Sequence, residues 1–246
     1  MTLEARILYD LSRYTELERD LDGGIILGIE NCFNSVIKRI FKKDWFDGYA
    51  FGITKLVIFI KDSNYVIKIP FTGKFPEFDH EIVVEDFLTE EEVFTPFTHG
   101  SNYSPWDYCR RELDIYNKAV VHGLEDAFAA ISLVGYIQGV LPVYLQERCV
   151  TFIDKWESDA SMECNDEGYV QDEDLTKEQK KTIKCGGRIY NLYWQSLLHN
   201  KLGTKKYRKL IKFLKKVDIY DLHNENVGYK EDNLEPVFID YSDWND

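Results

Sequence analysis

The sequence predicts an α+β fold in two lobes with a cleft between them. Three observations carry this. Of 246 residues, 44% are hydrophobic and 15% aromatic, which is enough for a sizeable core and too apolar for wholesale disorder. β-branched and aromatic runs gather in the first half of the chain, and helical periodicities in the second. The length suits one large domain or two small lobes.

The first 30 residues read as a helix and then a stretch punctuated by Gly23, Gly24 and Gly28. From Gly48 the pattern turns to strands. Residues 51–60 are rich in β-branched and aromatic side chains, and 65–71 follow after a polar turn at Asp62-Ser63-Asn64, which makes a hairpin. Lys68 stands inside its second strand, between Ile67 and Ile69. Residues 77–92 hold eight acids and one histidine and read as an exposed helix or a charged loop. A helix over 106–121 places Leu113, Tyr116 and Val120 on one face. Residues 131–137 and 140–145 form a strand pair around Gly139.

Residues 157–178 contain nine acids and a single base, Lys177, the composition of a solvated insertion loop. Two helices follow over 186–200 and 204–216. The second carries Tyr207, Leu210, Ile211 and Leu214 at helical spacing. Between Lys201 and Lys216 there are eight Lys or Arg and no acid, a solvated face that balances the acidic inserts. The chain closes on short strands near 227–229 and 237–240.

The charge narrows the function classes. Thirty Lys and Arg against 43 Asp and Glu give a net charge of -13 and a pI near 4.9. That balance argues against a nucleic-acid partner, though it leaves room for a local basic face. No run of 18 apolar residues predicts a membrane span, and the first ten residues lack the basic-then-apolar order of a signal peptide. The five cysteines (Cys32, Cys109, Cys149, Cys164, Cys185) are scattered and form no CxxC pair. That predicts reduced thiols in the cytoplasm and speaks against a zinc site or disulfide framework. The chain has no Gly-x-Ser-x-Gly and no His-Glu-x-x-His, so hydrolase chemistry has no anchor.

The sharpest segment is Asp221-Leu222-His223-Asn224-Glu225-Asn226-Val227-Gly228. Asp240 stands fourteen residues beyond Asn226, after the apolar Val237-Phe238-Ile239. A loop offering a carboxylate and an amide, followed by a hairpin that returns a second carboxylate, can do a defined job. The amide oxygen of Asn226 and the carboxylate of Asp240 are hard ligands suited to Mg²⁺. The carboxylate of Asp221 is left to orient an attacking hydroxyl or accept its proton.

At these residues the chain resembles the protein-kinase-like superfamily. Asp221 to Asn226 matches the spacing of the catalytic loop, and Asp240-Tyr241-Ser242 matches the metal-binding tripeptide with Tyr for Phe and Ser for Gly. The Asp-Leu-His opening looks like that of antibiotic and small-molecule kinases. Val66-Ile67-Lys68 resembles the strand that presents the ATP-phosphate lysine, with Glu112 as the partner on a helix and Glu85 as the alternative. Gln146 takes the gatekeeper place. Glu147 and Cys149 take the hinge places whose backbone binds adenine, and Gly48-Tyr49-Ala50-Phe51-Gly52 takes the place of the glycine-rich loop.

The resemblance covers residues 45–243. It implies a nucleotide-binding lobe over 1–147, including an N-terminal extension, and a helix-rich catalytic lobe over 148–246. Its cofactors are ATP and Mg²⁺. Ile219-Tyr220 replaces the usual His-Arg, and only six residues follow Asp240. The expected form is therefore a truncated C-terminal lobe without the platform that holds a peptide, in the style of a compact bacterial or phage-type kinase-like protein.

The implied function is ATP-dependent phosphoryl transfer to a hydroxyl of a protein or small molecule. The same residues would serve transfer of AMP. A second class is a nucleotide-binding interaction module without turnover, and a third is an acidic mimic of nucleic acid built on the stretches at 77–92 and 157–178.

Overall fold

The structure, a computed structural model, describes residues 1–14, 18–19, 25–26, 36–51, 55–70, 83–86, 91–94, 106–151, 177, 192–219, 222 and 226–242. These form a mixture of helices and antiparallel sheet, the α+β class expected from the sequence. In chain order they are α1 (Leu3–Tyr14), β1 (Glu18–Arg19), β2 (Ile25–Ile26), α2 (Lys38–Ile40), β3 (Phe46–Phe51), β4 (Lys55–Ile60), β5 (Tyr65–Pro70), β6 (Val83–Asp86), β7 (Glu91–Phe94), α3 (Trp106–Val121), β8 (Ile131–Ile137), β9 (Leu141–Glu147), β10 (Cys149–Thr151), α4 (Leu192–Val217), β11 (Val227–Lys230) and β12 (Pro236–Phe238). A 3₁₀ turn, Glu125–Ala127, joins α3 to β8. Among the described residues, no helix is long and apolar enough to cross a membrane.

The chain divides into two compact units. One takes Met1–Arg110 and Ile131–Gln146, the other Arg111–Ala130 and Glu147–Asn245. The first is built on a five-stranded sheet in the order β3-β4-β5-β9-β8. Leu56, Ile58 and Ile60 alternate along β4, and Ile67 and Ile69 along β5. Period-two alternation sends these residues to one face. There they pack with Ile7 and Leu11 of α1 and with Val36, Ile37 and Ile40. Each such side chain contributes roughly 1.5–3 kcal/mol when removed from water.

A polar tie completes this packing. Asp10, 6% exposed, accepts a hydrogen bond from Trp45 Nε1 at 2.9 Å and from Lys43 Nζ at 2.8 Å. Gly135 in β8 lets α1 come close: a Cβ there would lie 2.5 Å from Leu8 Cδ2. The expected turn after β4 is present, with Asp62 at φ 55 and the Tyr65 amide donating to Ser63 Oγ at 3.2 Å.

Three expectations need correction. The single strand over 51–60 is two strands, because Phe51 pairs with Leu56 and the chain reverses between them. Within the acidic stretch 77–92 the described residues, 83–86 and 91–92, are strand, and the others lie outside the described residues. Val83–Asp86 pairs antiparallel with Glu91–Phe94, since valines and a phenylalanine within the acids favour extended backbone. The core face of α3 is turned from the expected one. Cys109, Glu112, Ile115 and Ala119 are buried while Val120 is 47% exposed. Ranking positions by hydrophobicity missed a stripe that includes a carboxylate.

The second unit holds a three-stranded antiparallel sheet, β10-β11-β12, and the long helix α4. Of the two helices expected at 186–200 and 204–216, residues 186–191 lie outside the described residues; the rest meet at Gly203, whose φ of 72 and ψ of 159 only glycine adopts easily. Tyr207, Leu210, Ile211 and Leu214 are all buried, as their spacing predicts, while Lys205, Arg208, Lys209 and Lys212 face solvent. Aromatic rings form the centre. Phe128 meets the edge of Tyr241 at 5.0 Å and packs tilted against Phe238 at 5.2 Å, as Trp194 does against Tyr229 at 5.3 Å. Arg111 caps the end of α4 by donating to the carbonyls of Val217 and Asp218, at 3.5 and 3.1 Å.

Candidate functional site

The strongest pair expected from the sequence is brought together. Asn226 directly precedes β11 and Asp240 follows β12 by two residues. The register Val227↔Phe238 sets Asn226 opposite Ile239, with Asp240 the next residue along. The carbonyl of Asn226 accepts from the amides of Ile239 at 2.9 Å and Asp240 at 3.4 Å. Both side chains are half-buried. Ser242, the residue in the glycine place, donates its hydroxyl to Asp240 Oδ1 at 3.1 Å. Tyr241, in the phenylalanine place, is buried and donates to the Ala129 carbonyl at 2.9 Å. An anchored ring on one side and a backbone clasp on the other hold Asp240 where the hairpin ends. The chemistry of the pair, an amide oxygen and a carboxylate, fits a hard divalent cation such as Mg²⁺. Among the described residues, no group of three or more His, Cys, Asp or Glu gathers as a metal cluster. Asp221 lies outside the described residues.

The hinge candidates lie in the same unit as that pair. Cys149 stands opposite Lys230 in the β10–β11 register. The Glu231 amide donates to the Arg148 carbonyl at 3.4 Å. Hydrogen-bonded and non-bonded pairs alternate along an antiparallel ladder, so the backbone groups of Cys149 point away from β11. The Cys149 thiol donates to the Glu147 carbonyl at 3.6 Å. Glu147 is more than a backbone position. Its Oε2 accepts from the Ala130 amide at 2.8 Å and its Oε1 from Lys230 Nζ at 2.9 Å, while its own amide donates to the Ala130 carbonyl at 2.9 Å.

This clasp shapes the local electrostatics. Burial alone would lower the Lys230 ammonium, but the hydrogen bond and charge of Glu147 outweigh it and raise it above the usual lysine value. Burial, then the Glu147 charge, pushes the Tyr116 phenol up. Sequence reading found Glu147 as a hinge residue and missed its carboxylate.

The remaining candidates are placed as follows. Lys68 lies on β5, the middle strand of the five, and is 5% exposed. It shares its sheet face with Val57, its cross-strand partner. By the same parity that face carries Lys55, 4% exposed, a second buried lysine that sequence reading passed over. Alternation from Val57 back to Lys55 was the available signal. Gln146, on β9, is 2% exposed.

Glu112 lies on α3 in the second unit and is fully buried. Its rival Glu85 lies on strand β6. A helix-borne glutamate is therefore Glu112 and not Glu85. Gly48 sits within β3, at a bulge where the register shifts between Phe46 and Gly48, with φ 143. It is a strand residue, and a Cβ there would touch Phe59 at 3.4 Å. Gly52 lies outside the described residues.

Comparison with known proteins returns nothing: no family model matches the chain, and no curated protein and no solved structure matches it.

Proposed function

We propose that this chain is an ATP-dependent, kinase-like phosphotransferase that acts on a hydroxyl of a protein or small molecule. The observation that carries the proposal is the clasp of Asn226 to Asp240 at the mouth of the β11–β12 hairpin. It ties together the backbones of two residues whose side chains carry hard oxygen donors, fourteen residues apart in sequence. The element order supports the same reading. A glycine-bearing strand is followed by two more, the third carrying a buried lysine. After the inserted β6–β7 pair comes a helix with a buried glutamate, and then the β8–β9 pair. In protein kinases the phosphate lysine likewise sits on the third strand and pairs with a helix glutamate. The two-lobed kinase-like architecture belongs to this proposal.

In this reading Asn226 and Asp240 hold Mg²⁺, while Lys68 and Glu112 take the phosphate-lysine and helix-glutamate roles that the resemblance implies. The backbone of Glu147 and Cys149 receives adenine, and Asp221 orients the acceptor hydroxyl. The cation supplies neutralisation of the phosphate oxygens. The protein's part is positioning and fixed charge. Five scattered cysteines that form no CxxC pair support a cytoplasmic setting.

The test is transfer of the labelled terminal phosphate of ATP to candidate acceptors, with Asp221→Ala and Asp240→Ala beside the wild type. Both variants should keep the fold and lose transfer. Transfer that persists in Asp221→Ala removes its assigned role. A second reading, a nucleotide-binding module without turnover, is favoured by Ser242 in the glycine place of the metal-binding tripeptide, its hydroxyl donating to Asp240 Oδ1. Magnesium-dependent nucleotide binding with no transfer to any acceptor would select it.

A further inference from the structure

The sheet β10-β11-β12 carries Cys149 at one end and the Asn226–Asp240 pair at the other, all within the second unit. From Lys230, opposite Cys149, back to Asn226 is four strand steps, about 13 Å at roughly 3.3 Å per residue. That is the scale of a nucleoside polyphosphate from its base to its terminal phosphates.

Two features fix this span, and none of Gly228, Lys230 and the Glu147 carboxylate has a part in the chemistry assigned above. The first is Gly228, midway along β11. A Cβ there would lie 2.6 Å from the Val150 carbonyl oxygen and 3.3 Å from its carbon. Both are backbone atoms that cannot turn aside, so only glycine lets β10 lie this close to β11. The second is the Glu147–Lys230 ion pair at 2.9 Å, whose two side chains are 24% and 19% exposed. Glu147 is two residues before Cys149, so it sits diagonally across from Lys230 on one face of the ladder. The Ala130 amide holds its other oxygen at 2.8 Å. A one-residue slip of β10 on β11 would break the pair and move Cys149 by about 3.3 Å relative to Asn226.

We propose that this sheet is a measuring element: Gly228 and the Glu147–Lys230 pair are positioning residues that set the distance between the base-side backbone at Cys149 and the cation pair Asn226–Asp240. One nucleoside triphosphate with its divalent cation then reaches both ends, and a monophosphate reaches only one. The inference rests on the nucleotide reading above and adds its selection by length.

The two ends can be probed separately. On the full chain, calorimetric titration would compare MgATP with adenosine, which can occupy only the base end, and with magnesium tripolyphosphate, which can occupy only the cation end. In the wild type MgATP binds far more tightly than either fragment, because joining them makes the second contact intramolecular. Gly228→Ala should weaken MgATP at least tenfold and leave both fragments within twofold. Lys230→Met should do the same to a smaller degree, and Lys230→Arg should restore most of the loss. The lysine variants keep the test open if Gly228→Ala does not fold. Equal weakening of all three ligands, or MgATP affinity unchanged in Lys230→Met and Gly228→Ala, overturns the measuring role. A wild type that binds neither fragment and no MgATP overturns the nucleotide reading itself, before any variant is compared.

Discussion

In the five-stranded sheet, β4 and β5 bury a leucine or isoleucine at every second position against α1 and residues 36–40. In the three-stranded sheet the short strands are fixed by a glycine contact, an ion pair and a ring cluster around Phe128. The first arrangement derives its stability from non-directional burial, which tolerates small shifts. The second has only three or four residues per strand and depends on directional contacts that fix register. The candidate cation pair stands on the second. A site that must hold two oxygen donors in place gains more from register than from bulk burial.

Mutations can break this contrast, and the largest effect should be on activity. Asp240→Ala should lower phosphoryl transfer by about 10²–10³-fold, the scale for removing one fixed charge-stabilising group. Circular dichroism should show the fold intact. Next is Ile67→Ala, on the fully buried face of β5. It should cost about 2–5 kcal/mol in denaturant melts through lost transfer energy and a cavity.

Asp10→Ala should cost roughly 1–3 kcal/mol, because Trp45 Nε1 and Lys43 lose their acceptor. Burial would raise the Asp10 carboxyl, but hydrogen bonds from Lys43 and Trp45 outweigh it and hold it below the usual aspartate range. Its stabilisation is therefore present above the unfolded-state value and is lost as pH falls through the lower folded value. Wild-type stability should drop in that acid window, and the drop should shrink in Asp10→Asn. Gly203→Ala should cost about 1–3 kcal/mol, because alanine cannot take that backbone conformation without strain. The smallest effect belongs to Lys206→Ala. Its pair with Asp126 at 2.5 Å is solvent-exposed, so the loss should stay under about 1 kcal/mol and fade with salt.

The sequence disclosed the two sheets unequally, for the same physical reason. Alternating Leu56, Ile58 and Ile60, and the buried stripe Tyr207, Leu210, Ile211 and Leu214, are local patterns that periodicity reveals. The Asn226–Asp240 pairing was legible because a short hairpin joins the two residues. The Glu147 clasp was not, because its partners lie 17 and 83 residues away and carry no motif. Glu112 was found as a candidate and its burial was not, because helix faces are read from hydrophobicity and a buried carboxylate breaks that rule. The two helices expected on either side of Gly203 match the break in α4 there, a residue of low helix propensity. The pairing of Val83–Asp86 with Glu91–Phe94 was hidden by the acids around it, which read as solvated surface.

The central claim is that Asn226 and Asp240 together hold the cation of a bound nucleotide. Titration of ATP into the full chain, with and without Mg²⁺, tests it most directly when repeated for Asn226→Ala and Asp240→Ala. The account predicts tight binding only with Mg²⁺, and loss of that dependence in both variants while the melting transition persists. Binding indifferent to Mg²⁺, or a magnesium dependence unchanged in Asp240→Ala, would contradict it.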